Sequence, residues 1–366
     1  MKMAVDALGI KHSGGATVLQ DFLMAAIHDD RLAQITVFCS PRVSRNFDLP
    51  DSPKITEIEL PNAESSRISR LLWFERQLPL RAKQSGADVL ICMSGAGRAP
   101  HGMPQVTFVQ QSLPFFREAR NRLGLTKNFR LKMISWMTER ACRLSQTVLV
   151  QTPAMRQCIV ETFGIPSERV QAIIPSISTL PSGNGASTQL EMMRKAPPGR
   201  RLLYVGNQSL YKNVAVMAKA MGQIRATFPD ATLFLTWPND HELTKVEGIR
   251  GCGYLDVGSL REAYELATLL VLPSLAETVG LPMLEAMSVG TPVLAADRSY
   301  AHDICEDAAV FFDPLNGDDF AKKAIDLLTS PARLDELSAR GKLLIERRRA
   351  NKPYQRMIDA VVESAS

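Results

Sequence analysis

The chain has 366 residues, 45 % of them hydrophobic, and a formal net charge of +5, enough for two domains of ordinary size with a core in each. Six cysteines, Cys39, Cys92, Cys142, Cys158, Cys252 and Cys305, show no C-x-x-C pair and no metal-ligand spacing, which excludes a zinc-ribbon or disulfide scaffold and predicts buried thiols in a reducing compartment. No uncharged apolar run approaches the roughly 18 residues of a spanning helix, and the apolar stretch after Lys2 is broken by Asp6, so neither a membrane span nor a secretory signal is expected and a cytoplasmic protein is.

In chain order, MKMAVDAL and ITVFC predict early strands, with the helical pattern ATVLQDFLMAAI between them. Gly14 and Gly15 fall at that strand-to-helix turn. Their backbone could face a phosphate or an acceptor, and a tight turn alone explains the pair about as well. ADVLICMS and QVTFVQQ follow as strands, and TVLVQT and VQAII close the first unit. Between them lies FFREARNRLGLTKNFRLKMISWMTERACRLSQ, where Arg117, Arg120, Arg122, Lys127, Arg130, Lys132, Arg140 and Arg143 interleave with Phe115, Phe116, Phe129, Met133, Trp136 and Met137. The N-terminal half carries the basic excess of the whole chain. Such a stretch is either a core helix with a solvated basic face or a surface for anionic lipid, which attracts about 1 kcal/mol per Lys or Arg. No nucleic-acid motif accompanies it, and nucleic acid is not an expected partner.

From about Pro175 to Gly199 the composition turns to Ser, Gly and Pro without sustained period, which marks a domain boundary. RLLYVGN then opens a second series of strands, continued by ATLFLTW, ATLLVLPS, TPVLAA and AAVFF, and the helical pattern dominates after Asp318. Alternating strands and helices predict parallel sheets covered on both faces.

The stretch from Pro273 to Pro292, PSLAETVGLPMLEAMSVGTP, is the most informative. An apolar strand runs into a turn at Val-Gly-Leu-Pro and then into a helix that stops at Gly290. Glu277 sits at the turn and Glu285 one helical turn further in. Helix-end N–H groups without partners at the positive end of the dipole suit a phosphate or diphosphate, and Gly280 permits close approach. Carboxylates on either side can accept from vicinal hydroxyls. A nucleotide-sugar has that shape; the bland alternative is a dipole-favoured charge and a solvated helix residue.

This cassette resembles the E-x7-E signature of glycosyltransferase family 4, the retaining, nucleotide-sugar-dependent group with the GT-B fold. RLLYVGNQSLYKNVAVMAKAM, GTPVLAADRSYAHDICEDAAVFFDPLNGDDFAKKAIDLL, GIKHSGGATVLQDFL and QTPAMRQCIVETFGIPSERVQAIIPSI resemble other segments of that family, in the expected order over most of the chain. The resemblance implies an α/β protein of two Rossmann-like domains facing each other across a cleft: residues 1–180 on the acceptor side, a linker at 181–199, a donor-binding domain at 200–350, and a final helix at 351–366 packing back on the first domain. It implies catalytic roles for Glu277, against the transferred sugar, and Lys212, on the diphosphate. Gly206, Asn207, Asn213, Tyr254, Leu255, Val279, Gly280, Leu281 and Glu285 would bind the donor, Glu285 through the ribose, the region of Gly253, Tyr254 and Leu255 by main-chain contacts to the base. Gly14, Gly15 and Gln111 would form the acceptor or phosphate loop.

Two positions depart from the family pattern. Asn207 stands where many relatives have Arg, so Lys212 would carry more of the charge, or Arg250 or Arg261 would substitute. Gln110, Gln111 and Ser112 occupy a loop where relatives often have histidine, which removes an acid/base group there. No D-x-D motif occurs and no metal or other cofactor is expected. The implied partners are a nucleotide-sugar, GDP-mannose by family frequency, and a glycan or lipid-linked acceptor of cell-surface polysaccharide, with an anionic membrane surface met through the basic N-terminal domain and a peripheral place at the inner face of the membrane. A GT-B sugar-nucleotide epimerase and a non-catalytic nucleotide-sugar-binding partner are the rival readings.

Overall fold

The computed structural model describes residues 1–10, 14–41, 49–61, 66–123, 125–177, 180–181 and 187–366. Lys11, His12 and Ser13 of the glycine loop, residues 182–186 of the linker and the side chain of Lys127 lie outside the described residues. The chain divides into two compact units, one formed by Met1–Phe115, Gly124–Pro175 and Lys352–Ser366, the other by Phe116–Leu123 and Ser176–Asn351.

The first unit is built on a seven-stranded sheet of β1 (Lys2–Asp6), β2 (Gln34–Cys39), β3 (Ile55–Glu59), β4 (Val89–Cys92), β5 (Gln105–Val109), β6 (Thr147–Val150) and β7 (Val170–Ala172), in the order β3-β2-β1-β4-β5-β6-β7. Every pairing is parallel, with Val5 opposite both Val37 and Ile91. Alternate residues of β1 feed opposite faces, as the strand period requires. Met3 and Val5 pack with the helix Gly14–Ile27 and with Met357, Ile358 and Val361 of the helix Pro353–Ala365. Ala4 packs on the other face with Phe38, Trp73, Phe74 and Leu78. Trp73 and Phe74 enter that face from a π-helical turn, Trp73–Gln77, inserted between the helices Arg67–Leu72 and Leu78–Gln84; such turns add a residue and re-aim side chains.

The second unit carries a six-stranded parallel sheet of β8 (Arg201–Tyr204), β9 (Thr232–Leu235), β10 (Ile249–Gly251), β11 (Leu269–Leu272), β12 (Val293–Ala296) and β13 (Ala309–Phe312), in the order β10-β9-β8-β11-β12-β13. Both sheets reverse direction of growth once, at β1/β4 and at β8/β11. In open parallel sheets a crevice opens at such a switch point beyond the carboxyl ends of the strands, because the following connections depart to opposite faces.

The strand patterns read from sequence correspond to every strand except β3 and β10, both sheet edges. Their burial explains the omission: β3 is a half-exposed Ile-Thr-Glu-Ile-Glu, and β10 is three residues long with Arg250 exposed. The basic stretch forms two helices, Arg117–Asn121 and Leu125–Leu144. The longer one buries Leu131, Ala141 and Cys142 and leaves Phe129 and Trp136 67 % and 51 % exposed. Among the described residues no helix is long and apolar enough to cross a membrane. All six cysteines are free, and five are buried.

Candidate functional site

The second unit places most of the sequence-predicted donor residues around the carboxyl ends of β8 and β11. After β8 the chain turns through Gly206, whose carbonyl accepts from Trp237 Nε1 at 2.6 Å. A Cβ at Gly206 would lie 2.6 Å from the Tyr204 hydroxyl, so only glycine fits there. The Tyr204 hydroxyl itself donates to the Asn207 carbonyl. Asn207 is exposed and its Oδ1 accepts from Ser209 N–H at 3.0 Å, a local Asx-type turn. A short 3₁₀ turn, Leu210–Lys212, follows, and Asn213 ends it in the left-handed region at φ 56°. Asn213 Nδ2 donates to the carbonyls of Pro314, at 2.6 Å, and Pro273, at 3.4 Å. Its side chain thereby ties this loop to the ends of β11 and β13.

That tie aims Lys212 at the turn after β11. Lys212 Nζ donates to Glu277 Oε1 at 2.5 Å, and each side chain is only 12 % exposed. Burial pulls the Lys212 ammonium down, but Glu277, with Tyr211 alongside, overrides it and holds the lysine above its usual value. The lysine is therefore held as a cation, with little solvent around it. Glu277 also lies close enough to Tyr204 and Tyr300 to add to the burial that pushes both phenols up. Tyr300 donates to the Ser274 carbonyl at 2.7 Å, and Leu275 N–H donates to the Tyr211 carbonyl at 2.8 Å, which fix the turn from both sides. Of the two cations considered as substitutes for the absent arginine, Arg250 donates to the Ile249 carbonyl and Arg261 is held by Glu265 and the Leu180 carbonyl.

Gly280 caps the helix Leu281–Val289 at φ 73° and ψ 58°, and Gly290 ends it at φ 89°. A Cβ at Gly280 would meet Met283 Cε at 2.8 Å. Pro282 in the first turn has no N–H to satisfy. Among the described residues the N–H groups of Val279, Gly280 and Leu281 have no backbone acceptor, leaving donors at the positive end of the helix. Glu285, half-buried, accepts from the Tyr264 hydroxyl at 2.6 Å. Burial raises the Glu285 carboxyl above its ordinary range, and the Tyr264 hydrogen bond opposes that rise. Nearby in sequence, Gly253 has φ 80° and donates to the Trp237 carbonyl, Tyr254 is 69 % exposed with its carbonyl accepting from Gln189, and Leu255 is half-buried.

The first unit holds the remaining predicted residues. Gly14 opens the helix after β1, and a Cβ at Gly15 would sit 3.3 Å from Gln110 Oε1, whose Nε2 donates to the Met93 carbonyl. Gln111 lines a cavity of about 390 Å³ with Ser94 and residues of the helices Arg67–Leu72 and Leu125–Leu144. Beneath it lies a residue the sequence reading passed over as a break in an apolar run. Asp6 is fully buried at the end of β1, accepting from Trp73 Nε1 at 3.0 Å and Ser94 Oγ at 2.9 Å. Burial pushes its carboxyl up to about 7 against these two hydrogen bonds. Tyr264 was also missed; its partner lies 21 residues away on another helix, and no local pattern marks it.

Comparison with known proteins gives the class and then the family. The lipopolysaccharide glycosyltransferase WaaG superposes with a TM-score of 0.76 at 14 % identity over 99 % of both chains. HepE from Anabaena, determined in complex with UDP-glucose, gives 0.72 at 14 % identity over 99 % of this chain and 100 % of that one. The fold is GT-B. Residues 13–179 match the model described as Glycosyltransferase Family 4, and residues 199–330 the one described as Glycosyl transferases group 1. Between them they take in most of the chain, and the protein belongs to this glycosyltransferase family. Its sequence is 25 % identical over 213 residues to the O-antigen chain mannosyltransferase B of Escherichia coli. That match covers 54 % of this chain and 55 % of the relative, so the chain spans about half the length of that protein.

Proposed function

We propose that the protein is a retaining, metal-independent transferase that moves a hexose, mannose from GDP-mannose in the first instance, from a nucleotide-sugar to a glycan or lipid-linked acceptor in cell-surface polysaccharide synthesis. The observation that carries this reading is the buried Lys212–Glu277 pair set beside N–H groups that, among the described residues, have no backbone acceptor at the head of the helix Leu281–Val289. The O-antigen relative and the lipopolysaccharide enzyme of the same fold support the sugar and the acceptor class.

The chemistry follows from the donors available. An ammonium has three N–H bonds; one held by Glu277 leaves two for a diphosphate oxygen. Together with the N–H groups of Val279, Gly280 and Leu281, they would stabilise the charge that grows on the nucleoside diphosphate as the glycosidic bond breaks. Glu277 would accept from the hexose hydroxyls and offset positive charge at the anomeric carbon. Glu285 would hold the ribose and Tyr254 lie beside the base. The acceptor hydroxyl would attack from the face the phosphate leaves, its proton passing to a phosphate oxygen, so configuration is retained. Exposed Phe129 and Trp136 on the helix that also carries Arg130 support an anionic membrane surface as a further partner.

A thermal-shift and slow-hydrolysis screen against GDP-, UDP-, ADP- and dTDP-sugars, with and without EDTA, tests the proposal. Stabilisation by one of them, with EDTA-insensitive release of its nucleoside diphosphate, is expected. Binding without release onto water or any acceptor would point instead to a non-catalytic nucleotide-sugar-binding protein.

A further inference from the structure

In the second unit the chain leaving β8, β9 and β10 comes together at Trp237, two residues beyond the end of β9 and 2 % exposed. The Tyr204 ring stands edge-on to it at 5.7 Å and the His241 ring lies 4.7 Å away, so the indole is held in place by neighbours from β8 and from its own loop. Its N–H and its main-chain carbonyl go to different turns. Nε1 donates to the Gly206 carbonyl at 2.6 Å, while the Gly206 N–H donates to Thr236 Oγ1 at 3.3 Å. Gly206 is thus clamped from both sides by the exit of β9, and its own N–H is not left for a ligand. The next N–H groups, those of Asn207 and Gln208, have no backbone acceptor among the described residues, and the Asn207 carbonyl is held by the Tyr204 hydroxyl. The Trp237 carbonyl in turn accepts from Gly253 N–H at 2.7 Å. A Cβ at Gly251 would lie 2.5 Å from that carbonyl, so β10 can end against it only with glycine. Gly206 and Gly253 open the turns that the donor reading gives to the phosphates and to the base, and one residue sets the distance between them. A ligand recognised at both ends binds tightly only where the two turns are fixed at the right separation beforehand, because otherwise part of the interaction energy goes into ordering them.

We propose that Trp237 is a positioning residue for the donor, which registers the phosphate-side turn at residues 206–208 with the base-side turn at residues 253–255 and acts through their main-chain groups. The proposal rests on the nucleotide-sugar reading and deepens it. Asn207, standing where many relatives have arginine, turns its side chain back onto Ser209 N–H. The phosphate side of this chain therefore relies on main-chain donors beside Lys212, and the indole N–H holds the glycine from which those donors project.

The test is calorimetric titration of the full chain with GDP, UDP, ADP and dTDP, and displacement titration with the matching nucleosides, on the native protein, Trp237→Phe and Thr236→Val. Trp237→Phe keeps a ring beside Tyr204 and His241 and deletes the indole N–H. Thr236→Val keeps the side-chain shape and deletes the acceptor of the Gly206 N–H, so it loosens the same glycine independently and decides the matter should Trp237→Phe fold poorly. For the diphosphate that binds the native chain, each variant should lose about tenfold in affinity, the size of one buried hydrogen bond left unmade, while affinity for the nucleoside stays within about twofold. The nucleoside is spared because the carbonyl that holds Gly253 is main chain and survives both substitutions. Equal losses for nucleoside and diphosphate would mark a general loosening of the fold and overturn the role, as would unchanged diphosphate affinity in the variants. Phosphate-selective losses in a chain that neither transfers nor hydrolyses a sugar would uphold the role and reject the transferase reading. Sugar release by a native chain whose variants lose base and phosphate alike would do the reverse, and no binding of any diphosphate by the native chain would overturn both.

Discussion

Lys212 and Glu277 lie 65 residues apart in sequence and 2.5 Å apart in space, joined at the mouths of two adjacent strands. Removing one partner of such a pair leaves the other charge with little solvent and costs about 3 kcal/mol or more, whereas replacing both by apolar groups is often neutral. Lys212→Ala and Glu277→Ala should each lower the melting temperature and reduce transfer by orders of magnitude. The double variant Lys212→Met/Glu277→Leu should regain most of the lost stability and none of the activity. Near-normal turnover in either single variant would sink the site assignment.

Glu285 is raised by burial and held down by the Tyr264 hydroxyl. Tyr264→Phe removes the opposing hydrogen bond, so the carboxyl moves further up and stays protonated over more of the acid range. Donor affinity in that variant should begin to fall at a higher pH on acidification than it does in the native chain. Glu285→Ala should weaken the donor at every pH, with a smaller effect on the rate of transfer once bound. A flat pH response in calorimetric titrations of Tyr264→Phe would separate this carboxylate from the donor.

Gly280→Ala tests the helix head without changing the charge of the site, although the added methyl would also meet Glu277 Cγ at 3.5 Å. The left-handed φ of 73° costs an L-residue roughly 1–2 kcal/mol, and the new methyl would press on Met283. Stability should fall by about that amount, and release of nucleoside diphosphate should slow because the neighbouring N–H groups move. Unaltered donor kinetics would mean that these N–H groups do not face the phosphates.

Asp6 predicts a pH signature in the first unit. Its carboxyl, raised to about 7 in the folded chain, keeps its proton where the unfolded chain has already released it. Between the ordinary carboxylate range and about pH 7 the folded state binds more protons, so this group's contribution to stability declines as pH rises through that window and is level above it. Asp6→Asn should remove that decline. Denaturant midpoints followed by tryptophan emission would show it, and parallel pH profiles for the two proteins would refute it.

The strand–turn–helix of Leu269–Val289 was legible because each of its devices is local: an apolar run, a glycine that only a left-handed turn needs, a proline that only a first helical turn tolerates. Most strands were legible because parallel strands buried on both faces read as unbroken apolar runs. The edges β3 and β10 lack that second apolar face and gave no such run. Asp6 illustrates the harder limit. A carboxylate inside a strand pattern reads as a break, and its partners Trp73 and Ser94 stand 67 and 88 positions away. The pairing of Lys212 with Glu277 was equally hidden, since both residues were expected to meet ligand and nothing in their spacing says that they meet each other.

The helix Pro353–Ala365 contributes Met357, Ile358, Ala360 and Val361 to the same buried cluster as β1 and the helix Gly14–Ile27. During synthesis the intervening unit emerges from the ribosome before those side chains do. The part of that sheet face over β4, β5 and β6, on which this helix packs, must therefore wait uncovered until these residues have been made, while the second unit can close its sheet earlier. Premature termination within this helix should accordingly leave the second unit able to fold and the first with an open, aggregation-prone sheet, and chaperone demand should concentrate on the segment that was made first.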